Sequence, residues 1–192
     1  MVFKRLLKKK SEGFTLIEMI AAMVLVSILV PGISLIIGGT LMNIALTQIA
    51  VLSNMEADHA QRKFIKHING VSSFSSTGGD LAADTLTFTS YLGSLEYQYI
   101  IEEESRTIKY SRADINSGTA DILLQNVVKD TTIGINRYIS KFEFKDSKGN
   151  DLGPSPTHSD IHGVELTFYL LRGESLYSYT TYAAIDKGHL DI

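Results

Sequence analysis

From Met19 to Met55 the chain carries no charged side chain. A helix needs roughly 20 predominantly apolar residues to cross a bilayer. The apolar run that opens at Phe14 meets that requirement and is followed by more apolar sequence than one span needs. Lys4, Arg5, Lys8, Lys9 and Lys10 precede it, and the first charges beyond it are Glu56 and Asp58. Positive charge is retained on the cytoplasmic side of a span, which puts the N-terminus inside and the remainder outside. The chain therefore reads as a membrane-inserted helix followed by an exported domain.

One carboxylate, Glu18, stands at the start of the apolar run. Such a group in a membrane helix costs on the order of 3 kcal/mol and calls for a partner. A cut after Gly13 would leave Phe14 with a new α-amino group one helical turn from Glu18. Residues four apart share a helix face. The amine then pairs with its own Glu18 or with that of an adjacent subunit, and each charge lowers the cost of burying the other.

Gly13-Phe14-Thr15-Leu16-Ile17-Glu18, behind a short Lys/Arg leader, resembles the processing motif of type IV prepilins and type II secretion pseudopilins. The resemblance covers roughly the first quarter of the chain. It implies cleavage after Gly13 by a prepilin peptidase/methyltransferase and N-methylation of Phe14. It implies that Glu18 guides docking during assembly. The implied partners are other pilins or pseudopilins, an inner-membrane assembly platform and membrane lipid. The implied location is the inner membrane, then a pilus or pseudopilus.

Three other readings compete. A secretory signal peptide needs a small-x-small cleavage site after a short apolar core, and none is evident before Pro31. An uncleaved anchor leaves Glu18 unexplained, yet it supports an alternative function: a single-pass exported domain that binds a ligand and never assembles. A buried helix of a soluble protein conflicts with the basic leader and the unbroken apolar length.

Taken in order, residues 1–13 read as leader and 14–37 as the transmembrane and assembly helix. Pro31-Gly32 reads either as a break or kink, because proline lacks the backbone donor, or as a tolerated transmembrane proline. Residues 38–70 read as an amphipathic continuation with Leu41, Ala45, Ile49 and Leu52, then Ala60, Phe64 and Ile68, as the packing stripe. Asn69-Gly70 is a helix stop. Unbroken, the helix from Phe14 to Asn69 would span roughly 80 Å.

Residues 71–192 are expected to form a β-rich domain, making the chain α+β with a largely antiparallel sheet. Ser72 to Asp84 reads as a surface connection. Thr85–Leu92, Leu95–Ile101 and Ile108–Tyr110 read as strands, with a hairpin at Gly93-Ser94 and a charged turn at Glu102–Arg106. Ile122–Val128 is apolar but of undecided type. Tyr138, Ser140, Phe142 and Phe144 alternate as one strand. Val164–Leu170 and Leu176–Ala184 follow, joined by Gly173-Glu174. Leu123-Leu124-Gln125-Asn126-Val127 with Phe142-Glu143-Phe144-Lys145-Asp146 loosely resembles the layout of J-type minor pseudopilins and W-type minor pilins.

Composition narrows the chemistry. The chain has no cysteine, which removes disulfide and thiolate chemistry, and its net charge of −3 gives no reason to expect nucleic-acid binding. Asp146, Asn150 and Asp151 around Gly149 lack EF-hand spacing and read as a turn. His158, Asp160 and His162 sit in a loop after Pro154 and Pro156, and His59 and His67 on a charged helix face. None is taken as a metal site. No nucleophile elbow, triad motif or phosphate-binding loop is present. The expectation is a processed assembly subunit, with no enzymatic activity and no cofactor.

Overall fold

The computed structural model describes residues 15–74, 84–91, 95–114, 119–133, 135–153 and 156–186. It contains one long helix, α1 (Leu16–Ile68), followed by antiparallel strands. This is the expected α+β architecture. The chain divides into two compact units, Met1–Gln48 and Ile49–Ile192, a boundary that falls inside the expected amphipathic segment 38–70.

In the first unit, every described residue is exposed, including Ile20, Leu25, Leu29 and Ile36. The helix is long and apolar enough to cross a membrane. Its hydroxyls are satisfied internally. Ser27, Ser34, Thr40 and Thr47 donate to the carbonyls of Val24, Val30, Ile36 and Asn43, each at 2.8 Å. Such back-bonding suits polar side chains to lipid, where no water is available. Of the two readings of Pro31-Gly32, the break is absent from the single chain: Pro31 lies inside a continuous helix. Proline deletes one intrahelical bond there, and the turns on either side hold the helical path.

In the second unit, α1 buries Ser53, Ala57, Ala60, Phe64 and Ile68 at spacings of three and four. The expected packing stripe is thus corrected in its first half. Leu41 and Leu52 are exposed, and burial begins only at Ser53. A helix that is apolar all round offers no periodicity from which to choose a face.

The first sheet is a five-stranded meander in the order β1 (Val71–Phe74), β2 (Thr85–Ser90), β3 (Leu95–Glu102), β4 (Thr107–Arg112) and β5 (Asp121–Gln125). Leu86 and Phe88, then Tyr97, Tyr99 and Ile101, turn inward by simple alternation. Ser72 to Phe74 belong to β1 and are not surface connection, because Phe74 packs edge-on against Phe144 at 5.4 Å. The expected hairpin residues Gly93-Ser94 lie outside the described residues, but β2 and β3 pair antiparallel up to Ser90–Leu95.

The second sheet is built on β10 (Gly163–Arg172). One edge carries β11 (Ser175–Ala184) over ten paired positions. The other is shared by β9 (Lys141–Lys145) and the short β6 (Val127–Val128). The undecided stretch Ile122–Val128 is therefore two strands in two sheets. Asn126, at φ 61°, is the corner between them. Its carbonyl accepts the Leu171 amide at 2.9 Å, and the next amide, Val127, donates to Arg106 at 2.9 Å.

β7 (Asp130–Ile133) and β8 (Asn136–Ile139) form a separate two-stranded sheet. The strand expected from Tyr138 to Phe144 is consequently two, divided at Ser140. That residue leaves the ladder because its amide donates to Lys129, its hydroxyl donates to the Val128 carbonyl, and the hydroxyl also accepts from the Tyr169 amide.

Phe64 joins both sheets to the helix, meeting Tyr99 of β3 at 5.6 Å and Phe142 of β9 at 6.0 Å. Polar links fasten the same helix to the last hairpin. Arg172 donates to Ser53 and pairs with Glu56. Tyr179 donates to Asn54, and Gln61 donates to the Thr180 carbonyl.

Candidate processing and assembly site

The first described residues form a reciprocal helix cap. Thr15 precedes the helix, and its amide and hydroxyl both donate to Glu18 Oε2 at 2.9 Å. In return the Glu18 amide donates to Thr15 Oγ1 at 3.4 Å. This is the capping box, in which the third helical residue reaches back to the residue before the helix. A carboxylate in the first turn also meets the positive end of the helix dipole.

Thr15 is the residue that the sequence reading passed over. Its signal was present as Thr-x-x-Glu ahead of an apolar run. The cap gives Glu18 a partner in the uncut chain, before any new amine exists. Gly13 and Phe14, the expected cleavage and methylation residues, lie outside the described residues. Pro31 and Gly32 are four turns or so further along the helix and take no part in the cap.

Other singled-out residues fall elsewhere. His59 is exposed, as expected of a charged face. His67 is not on a solvated face. It is half-buried among tyrosines, with Nδ1 2.6 Å from the Tyr99 hydroxyl and its ring 4.6 Å from that of Tyr97. Lys63 lies over the Tyr110 ring at 3.6 Å beside it. Burial, then the charges of Lys63, Lys66 and Arg112, push His67 down to about 4. Burial pushes the Tyr99 hydroxyl up. The pair is therefore a neutral structural contact at neutral pH.

Asp146 organises a turn. Its carboxylate accepts the Lys148 and Asn150 amides at 2.7 and 2.8 Å and the Asn150 side chain at 2.9 Å. Those bonds, led by the Asn150 side chain, hold the Asp146 carboxyl below its usual range. Gly149 supplies the left-handed backbone, at φ 83°. Asp151 is used locally as well, accepting the Gly153 amide. His162 Nδ1 lies 2.9 Å from the Asp160 carbonyl, and the His162 backbone continues the ladder to Lys145 and Ile185. The side chain of His158 lies outside the described part of the structure. Among the described residues no group of three His, Asp or Glu side chains is arranged to hold a metal ion.

The geometry is thus an anchoring helix, a capped carboxylate at its start and a β domain whose turns use their own polar groups. Comparison with protein families matches residues 8–30 to the prokaryotic N-terminal methylation motif. Neither the curated proteins nor the solved structures yield a match.

Proposed function

We propose that this chain, whose methylation motif runs into a long apolar helix as fits a type IV prepilin-like protein, is a minor pilin or pseudopilin subunit. It is cut after Gly13 by a prepilin peptidase and N-methylated at Phe14. It then enters, or initiates, a type IV pilus or type II secretion pseudopilus. The observation that carries this reading is the motif match across residues 8–30, a stretch that includes Gly13, Phe14 and Glu18.

Residues 1–13 are the leader, 14–37 the membrane and assembly helix, 38–70 its continuation and 71–192 the exported domain. The leader's cations keep the N-terminus in the cytoplasm. Glu18 exchanges its Thr15 cap for the Phe14 amine of its own or a neighbouring chain when subunits dock. Pro31, which cannot donate to the carbonyl four residues earlier, is where the helix loosens under packing. Work done by the subunit is mechanical, and it is a substrate of processing and not an enzyme. The loose resemblance of Leu123–Val127 and Phe142–Asp146 to minor subunits favours the J or W type.

Intact mass and N-terminal sequencing of the membrane-extracted protein, with and without prepilin peptidase, test the reading. A peptidase-dependent N-terminus at N-methylated Phe14 is expected. Retention of Met1 to Gly13 beside active peptidase would overturn it and favour an uncleaved, single-pass ligand-binding protein.

A further inference from the structure

The sheet built on β10 ends at β11, whose one neighbour among the described residues is β10. The register fixes which backbone groups of β11 point away. The Ile185 amide donates to the His162 carbonyl at 3.0 Å, so Ala183, Thr181 and every second residue before them also bond to β10. Antiparallel ladders alternate in this way. The amides and carbonyls of Ser178, Thr180, Tyr182 and Ala184 therefore face outward, and the side chains of these residues are exposed.

A long edge of this kind is a template for another strand, and folds protect such edges with charge, proline, bulges or brevity. The other outer strands have that protection. β1 is four residues long and bulged against β2, while β5 opens with Asp121 and is bulged against β4. β9 carries Lys141, Glu143 and Lys145. β11 has ten residues and no charge, proline, glycine or bulge.

One group already sits on this edge. Gln61 of α1 donates its side-chain amide to the outward Thr180 carbonyl at 3.3 Å. That amide stands where the N–H of a further strand would, so the edge already accepts peptide-like chemistry.

We infer that β11 takes up an extended, uncharged segment of a different exported polypeptide as an additional strand, with the Gln61 amide giving way to a backbone N–H. Main-chain hydrogen bonds supply the affinity in strand addition. Ser178, Thr180 and Tyr182 offer no charge to pair, which selects a neutral segment. A second copy is the wrong occupant. α1 and β11 run in the same direction, since Arg172, the partner of Ser175, reaches Ser53, and Thr180 reaches Gln61. Two β11 edges joined antiparallel about a two-fold axis would point the Ser53–Ile68 helices of the copies oppositely. A common membrane anchor at one end of that helix forbids this. The exclusion of a copy, and the partner's location, rest on the anchoring reading above.

The full-length protein in detergent is titrated with a capped peptide of alternating valine and threonine, the length of β11, and amide exchange is followed by NMR. Exchange at Ser178 and Tyr182 should slow about tenfold, while Thr181 and Ala183, already bonded to β10, should not change. Ser178→Pro removes an outward N–H that the native ladder does not use, so it should keep the melting temperature and lose the peptide. Thr181→Pro removes an inward one and should lower the melting temperature. Gln61→Ala vacates the Thr180 carbonyl and should bind the peptide more tightly.

Unchanged exchange at Ser178 and Tyr182 with saturating peptide overturns strand addition, as does a Ser178→Pro variant that binds like the parent. Equal destabilisation by the two prolines overturns the outward register, and a Gln61→Ala variant that binds no more tightly overturns the placeholder role. Protection that grows with protein concentration and without peptide makes a second copy the occupant and overturns the choice of partner. These readouts do not depend on a cut after Gly13, so their failure leaves the assembly reading to its own test.

Discussion

The carboxylate of Glu18 is held by both donors of Thr15, amide and hydroxyl, at equal distances of 2.9 Å. The residue that the assembly reading needs free is therefore already engaged in the unassembled chain. Capping and charge pairing are separable by substitution, since glutamine completes a capping box as glutamate does but carries no charge.

Glu18→Gln is expected to insert in the membrane and be cut normally, yet to be strongly depleted from filaments. Thr15→Ala loses a cap worth about 1 kcal/mol and should still be incorporated. Counting subunits in sheared filaments against membrane-retained protein checks both. Normal incorporation of Glu18→Gln would assign the carboxylate to capping alone.

His67 predicts an acid sensitivity of defined sign. It titrates at about 4 when folded and near 6.5 when unfolded. Between those values the unfolded chain binds a proton that the native chain does not. Stability is complete above about 6.5, falls as the pH drops towards about 4, and levels below that. Because the ring is only partly buried, the loss is discounted to about 1–2 kcal/mol. Thermal unfolding of the full chain in detergent should show this slope, and His67→Gln should flatten it. A variant as acid-sensitive as the parent would place the effect in other groups.

Gly163 lies under Tyr182. A β-carbon at Gly163 would collide with the outer ring atoms and hydroxyl of Tyr182. The obstructing atoms are the far end of a half-exposed side chain, so Gly163→Ala should displace the ring and cost about 1 kcal/mol. In a Tyr182→Ala background the same change should cost almost nothing. A denaturant double-mutant cycle measures the coupling, and additive losses would mean that the ring is not the obstacle.

Asn126 turns the chain from one sheet into the other in a left-handed conformation. Asparagine and glycine adopt it readily, whereas branched side chains do not. Asn126→Gly should lie within about 0.5 kcal/mol of the parent, and Asn126→Val should lose about 2 kcal/mol. Equal chemical-denaturation midpoints for the two variants would show that backbone conformation does not limit this corner.

Much of the fold was legible because burial and alternation coincide. β2, β3, β10 and β11 read directly from every-second-residue patterns ended by glycine or charged turns. β6 to β9 did not, since two-residue β6 has no period and Asp130–Ile133 is too polar to signal a strand. Ser140 looked like one step of an alternation. Its bonds to Lys129, Val128 and Tyr169 exist only after distant segments meet.

At the candidate site, Glu18 stood out by its cost in lipid, while Thr15 was visible as a capping pattern and passed over. His67 was misread because its sequence neighbours, Lys66 and Lys63, are charged. The tyrosines that bury it arrive from β3 and β4. The packing face of α1 was misplaced because the same apolar residues serve lipid and core, and composition cannot separate the two surroundings.

The links from α1 to Arg172, Tyr179 and Thr180 join the first element made to the last hairpin made. In time, this means that a growing chain has its helix committed to the membrane long before the domain can close. Until β10 and β11 are made, Ser53, Asn54, Glu56 and Gln61 lack the partners they have in the folded domain. A chain stopped before β10 therefore leaves that face of the helix without its polar partners. The latest-made hairpin is thus the one that fastens the domain back onto its earliest element.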